Sequence, residues 1–279
     1  MKQVDAVVKS SELLSNDHER TVYLVWAHAP EITAAARPGQ YVMVRCGEGQ
    51  DMPLRRPLSV HRISQDGSIA LLFAVVGRGT EWLAKRNEGD CIDLFGPLGN
   101  GFDIDPSSKK LLLVAGGIGI APLVALGERA VATGKSVMLL IGDTTVDRIY
   151  PDHLLPTGVE TVIITEDGSA GVKGMATDLL PRYVPEADQV FACGPLPMYR
   201  KMAGMGDVPG GKPVQVILET VLGCGVGACL GCTVATVHGP RLVCKDGPVF
   251  ELRDIVWQKA VAPATREALL KRRLFRASC

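Results

Sequence analysis

The stretch LLLVAGGIGIAPLVAL, residues 111–126, decides the fold of the central part of the chain. Its first residues are apolar and typical of a buried strand, its glycines form a turn, and the residues after them continue as a helix. Gly116, Gly117 and Gly119 let backbone amides approach a phosphate, and the helix start adds a partial positive charge. The stretch is not the G-x-G-x-x-G fingerprint, and such a turn can also be purely structural.

Further apolar runs follow this stretch and alternate with a helical pattern, which indicates a parallel α/β domain. The predicted strands are SVMLLIGD (136–143), ETVIITED (160–167) and DQVFACG (188–194). We predict a nucleotide-binding domain over residues 106–210. The last strand ends in Cys193, Gly194 and Pro195, a second tight turn where ligands bind in such sheets. Cys193 fits either a packed core residue or a nicotinamide contact.

The first hundred residues differ in pattern, because short apolar runs alternate with Pro and Gly and no long helical period is present. Runs of this spacing are typical of an antiparallel barrel. We therefore predict an α+β multidomain chain: an antiparallel β-barrel over 1–105, the α/β domain, a small cysteine segment over 211–258 and a basic extension over 259–279. The extension is expected to be either solvated or an amphipathic helix.

The RRPLS stretch, residues 55–59, combines groups that a flavin dinucleotide needs. Arg56 offers a charge for the pyrophosphate, while Pro57, Leu58 and Ser59 offer an apolar wall and a small donor. The loop VVGRGT, residues 75–80, adds backbone and hydroxyl donors. The same residues also fit an ordinary strand end followed by a glycine turn.

Four of the eight cysteines lie within residues 224–244. Cys224, Cys229 and Cys232 are separated by four and two residues, and Cys244 follows, which is the plant-type [2Fe–2S] spacing. The glycines between them allow a tight loop whose N–H groups point at sulfur. Zinc is the alternative, but zinc sites pair two short hooks, whereas one loop here supplies three cysteines.

Composition narrows the function classes and the compartment. The formal net charge is zero, which gives no sign of nucleic-acid binding. No apolar run approaches the roughly 18 to 20 residues of a membrane span, and the first residues lack a secretory pattern. We expect a cytoplasmic protein, in which clustered thiols bind metal or do redox work.

The three parts combine into one electron-transfer function. A nicotinamide exchanges two electrons as a hydride, whereas a [2Fe–2S] cluster carries one at a time. A flavin connects the two, so the chain is predicted to use FAD, NAD and a [2Fe–2S] cluster. Asp143, at the end of the second strand, would favour the ribose hydroxyl of NAD over the phosphate of NADP, although turn-forming Asp is equally common there.

The motifs RPLS, GRGT, GPLGNGF, AGGIGIAP and CGP together resemble the ferredoxin–NADP reductase superfamily. The segment GCGVGACLGC with CKDGPVF resembles more specifically the electron-transfer subunits of type B dihydroorotate dehydrogenase. That resemblance implies FAD contacts at residues of three short stretches: Arg56, Pro57, Leu58, Ser59; Leu72, Phe73, Ala74; Gly79, Thr80. It implies cluster ligation by Cys224, Cys229, Cys232 and Cys244.

The resemblance also implies a partner subunit that carries FMN and oxidises dihydroorotate, with two copies of each subunit in a heterotetramer. Electrons would pass from that FMN through the cluster and FAD to NAD+, and the catalytic base for dihydroorotate would lie in the partner. The alternative is a related reductase subunit that serves a ferredoxin, a hydrogenase or a sulfur-reducing partner. A zinc-bearing binding module on a degenerate barrel is the non-enzyme alternative.

Overall fold

The first domain is a closed antiparallel barrel in the computed structural model, which describes residues 1–49, 52–206 and 211–258. Its strand order is β1-β2-β5-β4-β3-β6. Alternate side chains of the last strand are buried, whereas the third strand is buried along its whole length. The strands are β1 Lys2–Asn16, β2 Thr21–His28, β3 Tyr41–Val44, β4 Arg56–Ile63, β5 Ser68–Ala74 and β6 Cys91–Leu98.

The second domain is a mostly parallel sheet, as the alternating pattern predicts. Its seven strands run in the order β10-β9-β8-β7-β11-β12-β15, and only the pairing of β12 with β15 is antiparallel. The order reverses between β7 and β11. The strands are β7 Lys110–Gly116, β8 Ser136–Asp143, β9 Val159–Thr165, β10 Val172–Lys173, β11 Gln189–Cys193, β12 Val214–Ile217 and β15 Val249–Glu251.

The cysteine segment is continuous with this sheet, since its first strand is β12 and its last strand is β15. Between them lies a small hairpin, β13 Thr233–Thr236 and β14 Gly239–Leu242, in which Thr233 pairs with Leu242. The predicted basic extension, residues 259–279, lies outside the described residues. The domain boundaries themselves stay a prediction.

One long helix joins the two large domains. It runs over Ile120–Ala132, and its N-terminal half packs against barrel strand β4 as well as the sheet. His61 of β4 is fully buried there, with Nδ1 2.8 Å from the Ala121 carbonyl and Nε2 2.9 Å from the Tyr150 hydroxyl. Burial lowers the pKa of His61 to about 4, so the ring is neutral.

The remaining helices are short. In chain order the helices are α1 Pro30–Thr33, α2 Arg78–Ala84, α3 Ile120–Ala132, α4 Leu180–Tyr183, α5 Leu196–Gly204 and α6 Val243–Asp246. Single 3-10 turns lie at Gly117–Gly119, Val146–Arg148, Asp152–Leu154, Ala176–Leu179, Val184–Glu186 and Leu252–Asp254. Within the described part of the chain, no helix is long and apolar enough to span a bilayer.

Candidate functional site

The two predicted glycine turns meet where the strand order of the sheet reverses. β7 and β11 are neighbours, with Ala115 opposite Cys193. The turns pack so closely that a Cβ on Gly119 would lie 2.1 Å from the Cys193 carbonyl oxygen, and one on Gly116 would lie 2.8 Å from Pro195 Cδ. Open α/β sheets bind ligands at this kind of reversal. The structure therefore brings the predicted dinucleotide residues together.

Gly194 completes the contact between the turns, because a Cβ there would lie 3.1 Å from Gly116 Cα. Gly117 instead faces away from the contact between the two turns. Its φ of +57° lies in the left-handed region, which favours glycine. A Cβ on Gly117 would lie 3.4 Å from Arg20 Nη1 and 3.7 Å from Asp143 Oδ2. The turn thus has an open side, bordered by an arginine from the barrel and by the predicted ribose-binding acid.

Asp143 is already bonded at both carboxylate oxygens. Its Oδ2 accepts a hydrogen bond from Arg20 Nη2 at 2.8 Å, and its Oδ1 accepts one from the Thr144 N–H at 2.8 Å. The carboxylate is 6% exposed. A ribose hydroxyl would have to share or displace these donors, and the role of Asp143 in choosing NAD stays a prediction.

A group of titratable side chains lies behind the second turn. The Tyr199 hydroxyl accepts the Gly194 N–H at 2.9 Å and donates to the Ile217 carbonyl at 2.6 Å. Burial raises the pKa of both Cys193 and Tyr199, so both stay protonated. The Glu219 residue is exposed to solvent by surface area. Many protein atoms nevertheless surround its carboxyl, and this burial raises its pKa. Glu219 therefore places a carboxyl two residues beyond the end of β12.

The predicted flavin motifs also come together on the barrel. A Cβ on Gly79 would lie 2.7 Å from Arg56 Nε, so the arginine side chain crosses the glycine loop. The neighbouring Arg55 is fully engaged, because it forms a bidentate ion pair with Asp93 at 2.8 and 2.6 Å. Arg56 bonds only to backbone carbonyls, such as that of Leu54. Its charge has no carboxylate partner among the described residues, which fits a pyrophosphate contact.

The other predicted flavin residues differ in what their side chains can do. Leu72 packs in the cluster that joins barrel and sheet, whereas Phe73 lies in the barrel core and stacks on Tyr23. The Thr80 hydroxyl donates to the Gly77 carbonyl and accepts the Val76 N–H, so it holds its own loop. The half-buried residues are Arg56, Pro57, Leu58, Ser59 and Ala74. These have surface left for a cofactor.

The four clustered cysteines form two pairs. Cys232 Sγ lies 3.3 Å from Cys244 Sγ, and both residues are buried. Cys224 and Cys229 make up the second pair, in which the Cys229 N–H points at Cys224 Sγ at 3.4 Å, and Cys229 is exposed. The loop therefore runs from the interior of the protein to its surface.

Backbone N–H groups point at these sulfurs, as the glycine-rich loop predicts. Val226 and Ala228 donate to Cys224 Sγ at 3.5 and 3.3 Å, and Gly227 donates to Cys244 Sγ at 3.1 Å. The N–H bonds to Cys224, that of Val226 first, lower the pKa of its thiol to about 6. Burial instead raises the pKa of the Cys244 thiol. Such N–H donors stabilise a negatively charged cluster.

The donor set fits a [2Fe–2S] cluster. Among the residues that the structure describes, no three His, Cys, Asp or Glu side chains are grouped as ligands of a single metal ion. A [2Fe–2S] cluster is held by four thiolates, two at each iron, and two cysteine pairs supply that number. Assignment of the four cysteines as ligands stays a prediction from spacing and geometry.

The cysteine loop rests on the barrel. The buried Tyr41 hydroxyl lies 3.1 Å from the Gly225 carbonyl and 3.3 Å from the Cys244 carbonyl, and donates to this pair of oxygens. A Cβ on Gly225 would lie 3.0 Å from Met43 Cγ. On the same strand pair, Tyr41 lies opposite Ser59 of the RPLS motif. The strand that borders the predicted flavin surface thus also supports the cysteine loop.

Comparisons with known proteins identify the family. A family model described as the iron-sulfur cluster binding domain of dihydroorotate dehydrogenase B matches residues 219–256. The chain is 40% identical over 247 residues to the dihydroorotate dehydrogenase B (NAD(+)) electron transfer subunit of Desulforamulus reducens, covering 85% of this chain and 93% of that protein. The chain belongs to the dihydroorotate dehydrogenase B electron transfer subunits. The Bacillus mycoides member of this family is 35% identical over 263 residues, covering 91% and 98%.

Solved structures agree with the fold of this electron transfer subunit family. A chain of an NADH-dependent reduced ferredoxin-NADP oxidoreductase, from work on flavin-based electron bifurcation, superposes with a TM-score of 0.83 at 29% identity, covering 98% of each chain. A ferredoxin NADP+ reductase from Neisseria gonorrhoeae, with bound FAD and NADP, has a TM-score of 0.58 at 18% identity, covering 74% of this chain and 92% of that one. The predicted fold class is confirmed.

Sequence reasoning missed several residues that this electron transfer subunit places at the candidate site. Tyr41 supports the cysteine loop, Arg20 borders the Gly117 turn, and the charge of Glu219 acts on Cys193. A signal existed only for Glu219, which follows the buried apolar run of residues 216–218, near the strand end where ligands bind. Tyr41 and Arg20 reach the site from distant parts of the chain.

Proposed function

We propose that the chain passes electrons between a nicotinamide and a partner subunit, as the electron-transfer subunit of an NAD-linked dihydroorotate dehydrogenase. The observation that carries this is the arrangement of three sites in one molecule. A cysteine loop with the cluster spacing rests on the same barrel that holds the RPLS motif, and the glycine turns of the sheet face that barrel. A flavin takes up an electron pair and releases electrons singly, which is the chemistry that connects a nicotinamide to a [2Fe–2S] cluster.

The sheet domain binds and orients the dinucleotide. Gly116, Gly119 and Gly194 allow the two turns to pack together, which fixes the open side of Gly117. Cys193 ends β11 and Glu219 follows β12, so both lie at the strand ends where the nicotinamide ring is expected. Because the Cys193 thiol is buried and protonated, it offers a neutral, close-packed wall rather than a nucleophile.

The barrel binds the flavin dinucleotide through Arg56 and the strand that follows it. The Arg56 guanidinium has no acidic partner among the described residues and lies across Gly79, so it is available for the pyrophosphate. Pro57, Leu58 and Ser59 run beside the ring position. Arg55 instead holds Asp93 and stabilises the barrel.

The cysteine loop gives electrons a path from the interior to the surface. Cys232 and Cys244 are buried and lie next to Tyr41, while Cys229 is exposed. A cluster on this loop would have one side towards the barrel and one side towards a partner. We therefore propose that the partner's contact surface includes the exposed part of this loop.

The partner is proposed to be the FMN-containing catalytic subunit of dihydroorotate dehydrogenase, in a heterotetramer with two copies of each chain. Electrons then pass from the partner's FMN through this chain to NAD+. The support is the sequence identity to electron transfer subunits of that enzyme. The zero formal net charge gives no support for a nucleic acid as the partner.

A second candidate is a reductase subunit that serves a ferredoxin-linked partner. It is favoured by the likeness over 98% of the chain to the NADH-dependent reduced ferredoxin-NADP oxidoreductase. The two candidates share all three sites and differ only in the acceptor. Identity of 40% to the dihydroorotate dehydrogenase family, against 29% to this structure, favours the first.

The test is a reconstitution. The isolated chain, loaded with FAD and its cluster, is expected to oxidise NADH with artificial dyes but to show no reduction of NAD+ by dihydroorotate. Addition of the cognate FMN subunit should produce that activity. Turnover of dihydroorotate by the chain alone would refute the division of labour, and failure of the FMN subunit to bind or to gain NAD+ reduction would favour the second candidate.

A further inference from the structure

Arg20 lies in the tight turn between the first two barrel strands, at the boundary with the sheet. Asp17 accepts the Glu19 and Arg20 N–H groups at 2.7 and 2.6 Å and so fixes the turn. The Arg20 side chain, 19% exposed, reaches across the boundary to Asp143 and to the Arg148 carbonyl. It lines the cleft between the predicted flavin residue Leu72 and the Gly117 turn.

Only one of the three guanidinium nitrogens of Arg20 has a partner within the described ranges. Nη2 makes both bonds, to Asp143 Oδ2 and to the Arg148 carbonyl, each at 2.8 Å. Nε is buried without an acceptor. Nη1 has no acceptor either, and lies 3.4 Å from the point where Gly117 would carry a Cβ. Of the two nitrogens without an acceptor, Nη1 is therefore the one that lies next to the glycine turn.

The neighbouring Arg148 is a useful contrast because all three nitrogens of its guanidinium bond to other groups of the protein. Its Nε and Nη2 pair with Asp17 and Glu19, and its Nη1 donates to the Thr144 hydroxyl. These bonds already join the barrel turn to the sheet domain. Holding the two domains together therefore does not require the free nitrogens of Arg20.

The charge balance around Gly117 also permits an anion. Both oxygens of Asp143 are covered by donors, one of them from Arg20. The carboxylate is thus neutralised on the side of the turn, and the donor without an acceptor that lies next to Gly117 is Arg20 Nη1. Arginine presents donors in a rigid fork that matches phosphate oxygens.

The geometry points to Arg20 as a dinucleotide-binding residue supplied by the barrel, whose guanidinium contacts the pyrophosphate of the nicotinamide dinucleotide at the Gly117 turn. This rests on the proposed function, because it takes the turn to be the dinucleotide site. It adds to that function a ligand contact from the other domain. A bound dinucleotide would then connect the barrel to the sheet across the cleft that Arg20, Leu72 and Gly117 line.

The experiment measures binding of ADP-ribose, which carries the adenosine and pyrophosphate, to the FAD- and cluster-loaded chain by titration calorimetry. Arg20→Gln is expected to weaken binding roughly tenfold to a hundredfold, the range of a charge-assisted contact. Arg148→Gln is the matched control, since Arg148 lines the same cleft and ion-pairs at the same boundary but has each guanidinium nitrogen bonded within the protein, and a change below about threefold is expected. Flavin content and thermal unfolding are measured for each variant.

Arg20→Lys separates the ligand contact from the ion pair and covers the case in which Arg20→Gln does not fold. Its single ammonium can stay with Asp143 but cannot also reach Gly117, so ADP-ribose binding should still weaken at least about threefold. Wild-type affinity in Arg20→Lys or Arg20→Gln, or equal losses in Arg20→Gln and Arg148→Gln, would overturn the assignment. If the wild-type chain itself does not bind ADP-ribose, the dinucleotide site and the proposed NAD-linked function both fail.

Discussion

Replacement of Tyr41 by phenylalanine should loosen the cysteine loop from the barrel. The ring stays and the packing is kept, but the hydroxyl that donates to the Gly225 and Cys244 carbonyls is lost. Leaving buried acceptors without a donor costs about 1 to 3 kcal/mol. For a protein of this size each kcal/mol shifts the melting temperature by roughly 2 to 4 °C. We expect Tyr41→Phe to melt several degrees below the wild type and to lose its cluster faster.

Scanning calorimetry of the loaded chain gives the melting temperature, and visible absorption during incubation with a chelator gives the rate of cluster loss. Tyr183→Phe is the matched control, because Tyr183 makes a ring contact with Arg182 and, among the described residues, its hydroxyl does not bond to the cysteine loop. Equal melting temperatures and equal rates of cluster loss in Tyr41→Phe and the wild type would refute the argument that this hydroxyl anchors the loop.

Three further predictions concern the other parts of the chain. Cys232→Ser should abolish the paramagnetic resonance signal of the reduced cluster while FAD stays bound, and a full signal would remove Cys232 from the ligand set. Arg56→Ala should weaken FAD binding roughly tenfold to a hundredfold, measured as flavin retained after dialysis, and stoichiometric retention would exclude the pyrophosphate contact. Burial lowers the pKa of His61 from 6.5 to about 4 in the folded protein. Below pH 6.5 the unfolded chain therefore binds a proton at His61 that the folded protein does not. The free energy of unfolding should be highest above that pH and fall by about 2 kcal/mol between pH 7 and pH 5. Urea unfolding of wild type and His61→Gln at both pH values tests this, and an equal pH dependence in the two proteins would contradict it.

Much of the fold follows from local sequence patterns. The apolar runs in residues 136–143, 160–167 and 188–194 correspond to β8, β9 and β11, because fully buried strands of a parallel sheet are apolar along their length. Local pattern does not mark the first barrel strand. It has two irregularities of register, and few of its residues beyond Ala6 and Val8 are buried, so its sequence lacks a clean alternation.

At the candidate site, too, the sequence predicts some residues and not others. The cysteine spacing and the glycine turns are local, and the sequence therefore predicts them by residue number. Tyr41 is 184 positions from Gly225, and Arg20 is 123 positions from Asp143. Contacts of this kind depend on how the domains pack, which no local pattern records. The sequence likewise separates the cysteine segment from the sheet, whereas the structure places its first and last strands in it.

The pairing of β12 with β15 makes the cluster-bearing part of the chain an insertion. Ile217 lies opposite Val249, and the Leu218 N–H donates to the Pro248 carbonyl at 2.9 Å, so the chain leaves and re-enters the sheet at neighbouring points. A short hairpin turn would close the same gap. The sheet and its glycine turns thus do not depend on the intervening residues for their connectivity. A flavin reductase of this architecture could gain or lose its one-electron outlet as a single module, without rearranging either large domain.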